Sequence, residues 1–226
     1  MEELYAMKYL KHENKFLYLL SAMGIMMVAV PDAELPGGKD WIVQIIYLAM
    51  LLGALYAMKK RKRGIVTSTL IAMSGFALNT SGLMMNIKLL SLTGDGLYLL
   101  FYLIFIASVL SDVLKSPKVT KDSFCGVICV YLMIGIFYAT LYKALEYAMP
   151  GSFTNVNIMT YSTGDPSFFN LLYFSFITLA TVGYGDITPL SPIAKSLVIL
   201  ESTTGVFYIA ILISHLIGHS QRQHTE

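Results

Sequence analysis

Six apolar runs separated by short polar breaks fill most of this 226-residue sequence: residues 16–30, 41–58, 65–87, 96–114, 124–149 and 192–218. A helix rises about 1.5 Å per residue, so about 20 apolar residues cross the hydrocarbon core of a bilayer. Most of the runs reach that length. Composition points the same way: 56% of residues are hydrophobic and 13% charged, against about 45–50% and about 25% in soluble domains. These values exclude a soluble globular domain and an intrinsically disordered chain. The net charge of +2 is too small for a nucleic-acid partner. The expected class is an all-α membrane protein whose solvent is the lipid bilayer.

The run at 16–30 is short and stops at Pro31, so its helix is expected to start earlier, within residues 4–15. Lys8, Lys11 and Lys15 precede it as the n-region of a signal peptide would, but no small-x-small pair precedes Pro31, which favours a retained helix. A seventh run, residues 168–180, is too short to cross and fits a re-entrant or interfacial helix. Cys125 and Cys129 lie four apart in one apolar run and share a helix face, so they read as packing residues.

Basic residues set the orientation. Five stand in one block, Lys59 to Arg63, and each would cost about 2.5–3.5 kcal/mol at a bilayer centre. That block is therefore a loop, and the positive-inside bias makes it cytoplasmic. Alternation then places Lys8, Lys11, Lys15, Lys115, Lys118, Lys121 and Arg222 on the same side. The other side receives Lys39, Lys88, Lys143 and Lys195 with Asp32, Glu34, Asp40, Asp95, Asp165 and Asp186. Six crossings with both termini cytoplasmic satisfy the bias at every loop.

Directly after the short run stands Thr181-Val182-Gly183-Tyr184-Gly185-Asp186. This hexapeptide, between a helix too short to span and a full span, resembles the selectivity-filter region of tetrameric potassium channels. The resemblance is strongest over 168–218, extends from 124, and is weak over the first four runs. It implies six transmembrane helices per subunit, a re-entrant pore helix and a filter, assembled as a homotetramer in the plasma membrane. The implied division is a four-helix region at 1–122, a pore domain at 123–218 and a cytoplasmic tail at 219–226. The pore domain has an outer helix 123–149, pore helix 167–180, filter 181–185 and inner helix 191–218. With so short a tail, no soluble regulatory domain is expected in this chain.

The chemistry of such a filter is legible in these residues. Backbone carbonyls replace the hydration shell of the ion, and aiming successive carbonyls one way needs backbone angles of alternating hand. Glycine takes left-handed values without the cost of a Cβ, and Gly183 and Gly185 stand at alternate positions. By the resemblance, the carbonyls of Thr181, Val182, Gly183 and Tyr184, with the Thr181 hydroxyl, bind K+. Gly185 completes the strand, while Val182 and Tyr184 pack behind it. One motif per chain requires four copies for a closed ring. K+ is the permeant ion, and no organic cofactor is expected.

Around the filter, Ser167 is expected to cap the short helix, whose C-terminal dipole favours a cation. Tyr173 and Phe174 resemble an aromatic cuff that braces the filter. Many relatives carry tryptophan there, and Ile177 stands where some carry a carboxylate. Asp186 at the outer mouth either draws cations or caps local backbone. In the last run Ser191-Pro192 reads as a helix start, and Gly205 resembles a hinge glycine, with close helix packing as the alternative. Val206, Ile209, Ile213 and Ile217 share a face that either lines the inner pore or packs against 124–149. Glu201 is an intramembrane carboxylate, a functional candidate by default. Of two roles, direct contact with the ion or a structural hydrogen bond that supports the filter through Thr178 or Ser175, the second is expected. His215 and His219 sit at the cytoplasmic end, as inner-gate proton sensors or as solvated side chains.

The fourth run has no arginine or lysine, and the second and third lack internal acids to pair with a moving charge. Steep voltage dependence is therefore not expected. Asn79-Thr80-Ser81 falls inside the third run and reads as a polar packing site, and Trp41 suits an interfacial anchor. The leading expectation is a channel that conducts K+ passively, not an enzyme. The alternative is a non-conducting or regulatory subunit that needs partners. A metal-ligand cluster and the repeated broken helices of a transporter are both missing from the sequence.

Overall fold

Almost every polar break becomes a helix boundary. The computed structural model describes residues 15–33, 40–58, 62–85, 87–115, 121–156 and 167–223. Within them the regular elements are α1 (Lys15–Ala33), α2 (Asp40–Ala57), α3 (Lys62–Met85), α4 (Lys88–Lys115), α5 (Lys121–Ala148), α6 (Phe168–Leu179) and α7 (Pro192–Gln223). Three helices are long and apolar enough to cross a membrane, over Lys88–Val113, Lys121–Ala148 and Pro192–Ile211. Shorter apolar stretches occupy Lys15–Val28, Tyr47–Ala57 and Phe168–Leu179.

Two boundaries differ from expectation. Helix α1 continues through Pro31 to Ala33; in the last turn, the missing N–H of proline removes only one helical bond. The earlier start expected within 4–15 lies outside the described residues. Helix α4 starts at Lys88 rather than near 96, because Gly94, within the break expected at 88–95, is a packing residue. A Cβ on Gly82 would collide with the Ser91 backbone, and one on Gly94 with the Asn79 backbone. Small residues let α3 and α4 approach closely, as is common between membrane helices.

The same correction moves Asp95. Expected among the charges of an outer loop, it lies two turns into α4 and is buried. Its Oδ1 accepts from Asn79 Nδ2 at 2.7 Å and from Lys143 Nζ at 3.2 Å. Asn79 is the packing site the sequence suggested: it is buried in α3 and also reaches the Ser91 carbonyl at 3.4 Å.

Helix α4 packs against α3 and α5, α1 against α2 and α5, and α6 against α5 and α7. Leu19, Met23 and Met26 form a buried stripe on α1 at helical spacing. Near the start of α5, Gly126 leaves room for the Phe16 ring, and Asp122 Oδ1 accepts from the Phe16 N–H at 3.0 Å. Cys129 is buried in this contact, and both cysteines are free thiols. Tyr102, Phe101 and Phe105 of α4 and Tyr142 of α5 are fully buried. Thus α5 is the central post, carrying α1 and α4 on one side and α6 on the other. The side chain of Trp41 is outside the described residues.

Candidate functional site

The short helix is built as its sequence suggests. Ser167 caps it with extended backbone, and its hydroxyl accepts from the Asn170 N–H at 3.2 Å. Leu171, Leu172, Phe174, Ser175, Ile177 and Leu179 are buried and the other residues of the helix are partly covered. Gly135 makes this possible on α5: a Cβ there would collide with the Phe176 ring.

At its C-terminus a helix leaves carbonyls without intrahelical partners, and the next segment supplies them. The Thr181 N–H donates to Thr178 O at 2.9 Å, and those of Val182 and Gly183 donate to Ile177 O at 2.8 and 3.2 Å. Residues 181–183 therefore turn their N–H groups back onto α6. Among the described residues in this segment, positive φ occurs at alternate positions: Thr181 at 58°, Gly183 at 57° and Gly185 at 80°. The alternating hand expected at the two glycines is present, and it begins one step earlier, at a threonine. Thr181 bears a cost of about 1–2 kcal/mol for this conformation, held in place by the three N–H bonds to α6. The side chains of Val182 and Tyr184 are 51% and 72% exposed in the single chain. Packing behind residues 181–185 therefore needs atoms that one copy does not provide.

The expected aromatic pair divides its work. Phe174 is buried against Tyr142 and Phe153, with ring centroids 5.5 and 5.6 Å away. It braces α6 against α5 and the segment that follows α5. The Tyr173 hydroxyl instead donates to the Asp186 carboxylate, which pushes that phenol above its ordinary pKa. Tyr173 thus restrains Asp186, while Ile177 is buried and apolar.

Sequence reasoning missed the clamp around Asp186. Residues 150–156 fall in the break after the run at 124–149 and carried no expectation of their own, yet they hold the segment after the hexapeptide at several points. Thr154 N–H donates to Thr188 O at 2.9 Å, and Thr188 N–H to Thr154 Oγ1 at 2.8 Å. Leu190 N–H donates to Ser152 O at 2.8 Å. Asn155, at φ 56°, donates from Nδ2 to the Asp186 carbonyl at 2.8 Å. Glu146 fixes the other end, accepting from the N–H groups of Gly151 and Phe153 at 2.7 and 3.1 Å. The signal available in sequence was Glu146 itself, an acid near the end of an apolar run and five residues before a glycine.

Glu201 is fully buried. Its Oε2 accepts from the Tyr142 hydroxyl at 2.5 Å, and its Oε1 is hydrogen-bonded to Ser175. Ser175 Oγ also lies 2.8 Å from the Gly135 carbonyl, where it donates. Of the two partners expected, Ser175 is present. Tyr142 takes the place expected for Thr178, whose backbone carbonyl instead receives the Thr181 N–H. The carboxyl group therefore joins α5, α6 and α7 at one point.

Gly205 is a packing glycine in this structure: a Cβ would collide with the carbonyl oxygen of Leu179, the last residue of α6. Separate contacts join α5 to α7: Tyr138 pairs with Thr204 Oγ1 at 3.4 Å, and Tyr208 donates to the Val127 carbonyl at 2.7 Å. Val206 and Ile209 are 52% and 41% exposed in the single chain. The side chains of Ile213, His215, Ile217 and His219 lie outside the described residues.

With this geometry in place, the relatives can be read against it. Residues 126–218 match the model of a family described as ion channel. That stretch contains nearly all of α5, the clamp, α6, the hexapeptide and most of α7. The chain is 35% identical over 104 residues to two pore potassium channel c of Oryza sativa subsp. japonica, covering 46% of this chain and 20% of that protein. It is 34% identical over 89 residues to inward rectifier potassium channel Kirbac3.1 of Paramagnetospirillum magnetotacticum, covering 38% of this chain and 25% of that protein. A third relative, two-pore potassium channel 4 of Arabidopsis thaliana, is 40% identical over 52 residues, 23% of this chain and 18% of that protein. The chain thus spans a quarter or less of the length of these relatives.

Proposed function

We infer that this chain is a subunit of a potassium-selective channel, in which four copies bring residues 181–185 around one axis. The observation that carries the reading is the alternation of positive φ at Thr181, Gly183 and Gly185, with the N–H groups of 181–183 committed to α6. N–H groups turned outward onto α6 leave the carbonyls of Thr181, Val182, Gly183 and Tyr184 free to face K+. The similarity to three potassium channels supports the choice of ion.

Assembly follows from what one chain leaves uncovered. Val182 and Tyr184, and Ile199, Leu200, Val206, Phe207 and Ile211 of α7, are more than half exposed or close to it. In a tetramer some of this surface meets neighbouring copies and some lines the cavity, and irregular backbone at membrane depth becomes buried in protein. The reading includes six crossings, a re-entrant α6, both termini in the cytoplasm and the plasma membrane as location. It also includes conduction without a steep voltage sensor.

Purified protein in a planar bilayer tests it. A reversal potential that follows the K+ gradient with Na+ excluded is the expected result. A reversal potential indifferent to K+ would defeat the reading.

A further inference from the structure

The hydrogens around Glu201 can be counted. Ser175 carries one hydroxyl hydrogen, yet its Oγ has two acceptor neighbours: the Gly135 carbonyl at 2.8 Å and Glu201 Oε1. If Glu201 were a carboxylate, one of these contacts would set two lone pairs against each other inside a dry junction. A protonated Glu201 removes the conflict. Its O–H at Oε1 donates to Ser175 Oγ, Ser175 donates to the Gly135 carbonyl, and Tyr142 donates to Oε2. Three contacts then use three hydrogens, each once.

The surroundings agree with a neutral group. Glu201, Ser175 and Tyr142 are all fully buried. The titratable groups that face Glu201 from α5 are Tyr131, Tyr138 and Tyr142, and Tyr138 is also paired with Thr204 of α7. From α6 the facing group is Ser175, because Tyr173 is engaged with Asp186. None of these groups is a cation, and an uncompensated buried carboxylate is far more costly than a neutral acid.

We propose that Glu201 is a proton-binding site: a neutral carboxylic acid whose hydrogen fastens α6 to α5 and α7, and whose loss releases that helix. It is a positioning residue, acting on residues 181–185 through α6. This consequence for conduction rests on the ion-path reading above, whereas the protonation state does not. Ionisation would reverse the Glu201–Ser175 bond, leave the Gly135 carbonyl facing an oxygen without a hydrogen, and place a charge behind the last turn of α6. That turn accepts the N–H groups of 181–183.

The test is infrared spectroscopy of the full-length chain in lipid at neutral pH, followed by K+ flux from the same vesicles. A carbonyl stretch of a protonated carboxyl group is expected, absent in Glu201→Gln. In Tyr142→Phe, which removes the hydrogen bond to the carbonyl oxygen, it should move to higher frequency. As pH rises, wild-type flux should fall with the acid form, by about tenfold per unit once the acid titrates. Glu201→Gln, which keeps an N–H donor to Ser175 and an acceptor for Tyr142, should conduct without that alkaline loss. No such band at neutral pH overturns the proposal, as does an unshifted band in Tyr142→Phe or an equal alkaline loss in Glu201→Gln. Wild-type vesicles that never pass K+ would instead defeat the ion-path reading, and the infrared bands would still decide the proton.

Discussion

Gly205 of α7 lies against the last carbonyl of α6, that of Leu179, with no room for a Cβ between them. The contact joins α7 to the end of α6, just before the turn into Thr181. Gly205→Ala should therefore push α6 and α7 apart, at about 1–3 kcal/mol per chain. The expected outcome is a lower melting temperature of the assembled protein and reduced K+ flux. A hinge role alone predicts altered opening with unchanged stability, so thermal unfolding in detergent separates the two.

Asp95 and Lys143 tie α4 to α5 in a region with little water to screen them. The Asp95 side chain is 2% exposed and that of Lys143 18%. Removing one partner of a buried pair leaves an uncompensated charge and costs about 3–5 kcal/mol; the partial exposure of Lys143 places this pair near the low end. Lys143→Met should destabilise more than Asp95→Asn, and combining the two should recover much of the loss. A double-mutant cycle by chemical denaturation in detergent measures the coupling. Strict additivity would show that the pair does not hold α4 to α5.

These two contacts mark where the sequence was informative and where it was not. The hexapeptide, the short helix before it, its Ser167 cap and the buried Ser175–Glu201 bond follow from local rules: glycine spacing, run length, a cap preference and the expense of a buried acid. Asp95 was misplaced because Gly94-Asp95-Gly96 has loop chemistry in any local reading. Only the approach of α3, too close for a Cβ at Gly94, turns that glycine into a packing residue. Tyr142 and the clamp at 149–156 depend on contacts between segments tens of residues apart, which no periodicity encodes. Exposure of Val182 and Tyr184 is likewise a property of the fold, visible only once one chain is seen to leave them uncovered.

Helix α4 carries lysine only at its two ends, Lys88 and Lys115, with no basic residue between them. Each elementary charge that crosses the field contributes about 2.3 kcal/mol per 100 mV; α4 offers no cation in its interior, and its Asp95 is paired with Lys143 of α5. Conductance measured against voltage should therefore vary shallowly. A steep curve, equivalent to several charges per chain, would mean that another element moves through the field.

Asn155 holds the Asp186 carbonyl with its side chain while sitting at φ 56°. Asn155→Ala loses this bond and keeps a left-handed backbone without the tolerance asparagine has there. Asn155→Gly loses the same bond but relieves the backbone. If the bond positions Asp186, both variants should change outer block by barium equally. If backbone strain dominates, the glycine variant should behave as wild type while the alanine variant does not.

Gly183 separates conformation from crowding. A Cβ at this position would meet nothing within 4 Å, and φ is +57°. Alanine there is disfavoured by the backbone alone, at about 1–2 kcal/mol per chain. Relief of that strain comes from rotating the peptide, which turns a carbonyl away from the ion path. In the proposed tetramer four copies would share one ring, so a small rotation in each would remove a whole layer of ligands. Gly183→Ala should therefore assemble and melt nearly as wild type yet lose discrimination between K+ and Na+. Reversal potentials with K+ on one side and Na+ on the other read this directly. Preserved selectivity in an assembled Gly183→Ala channel would mean that the left-handed backbone at 183 is not what aims the carbonyls.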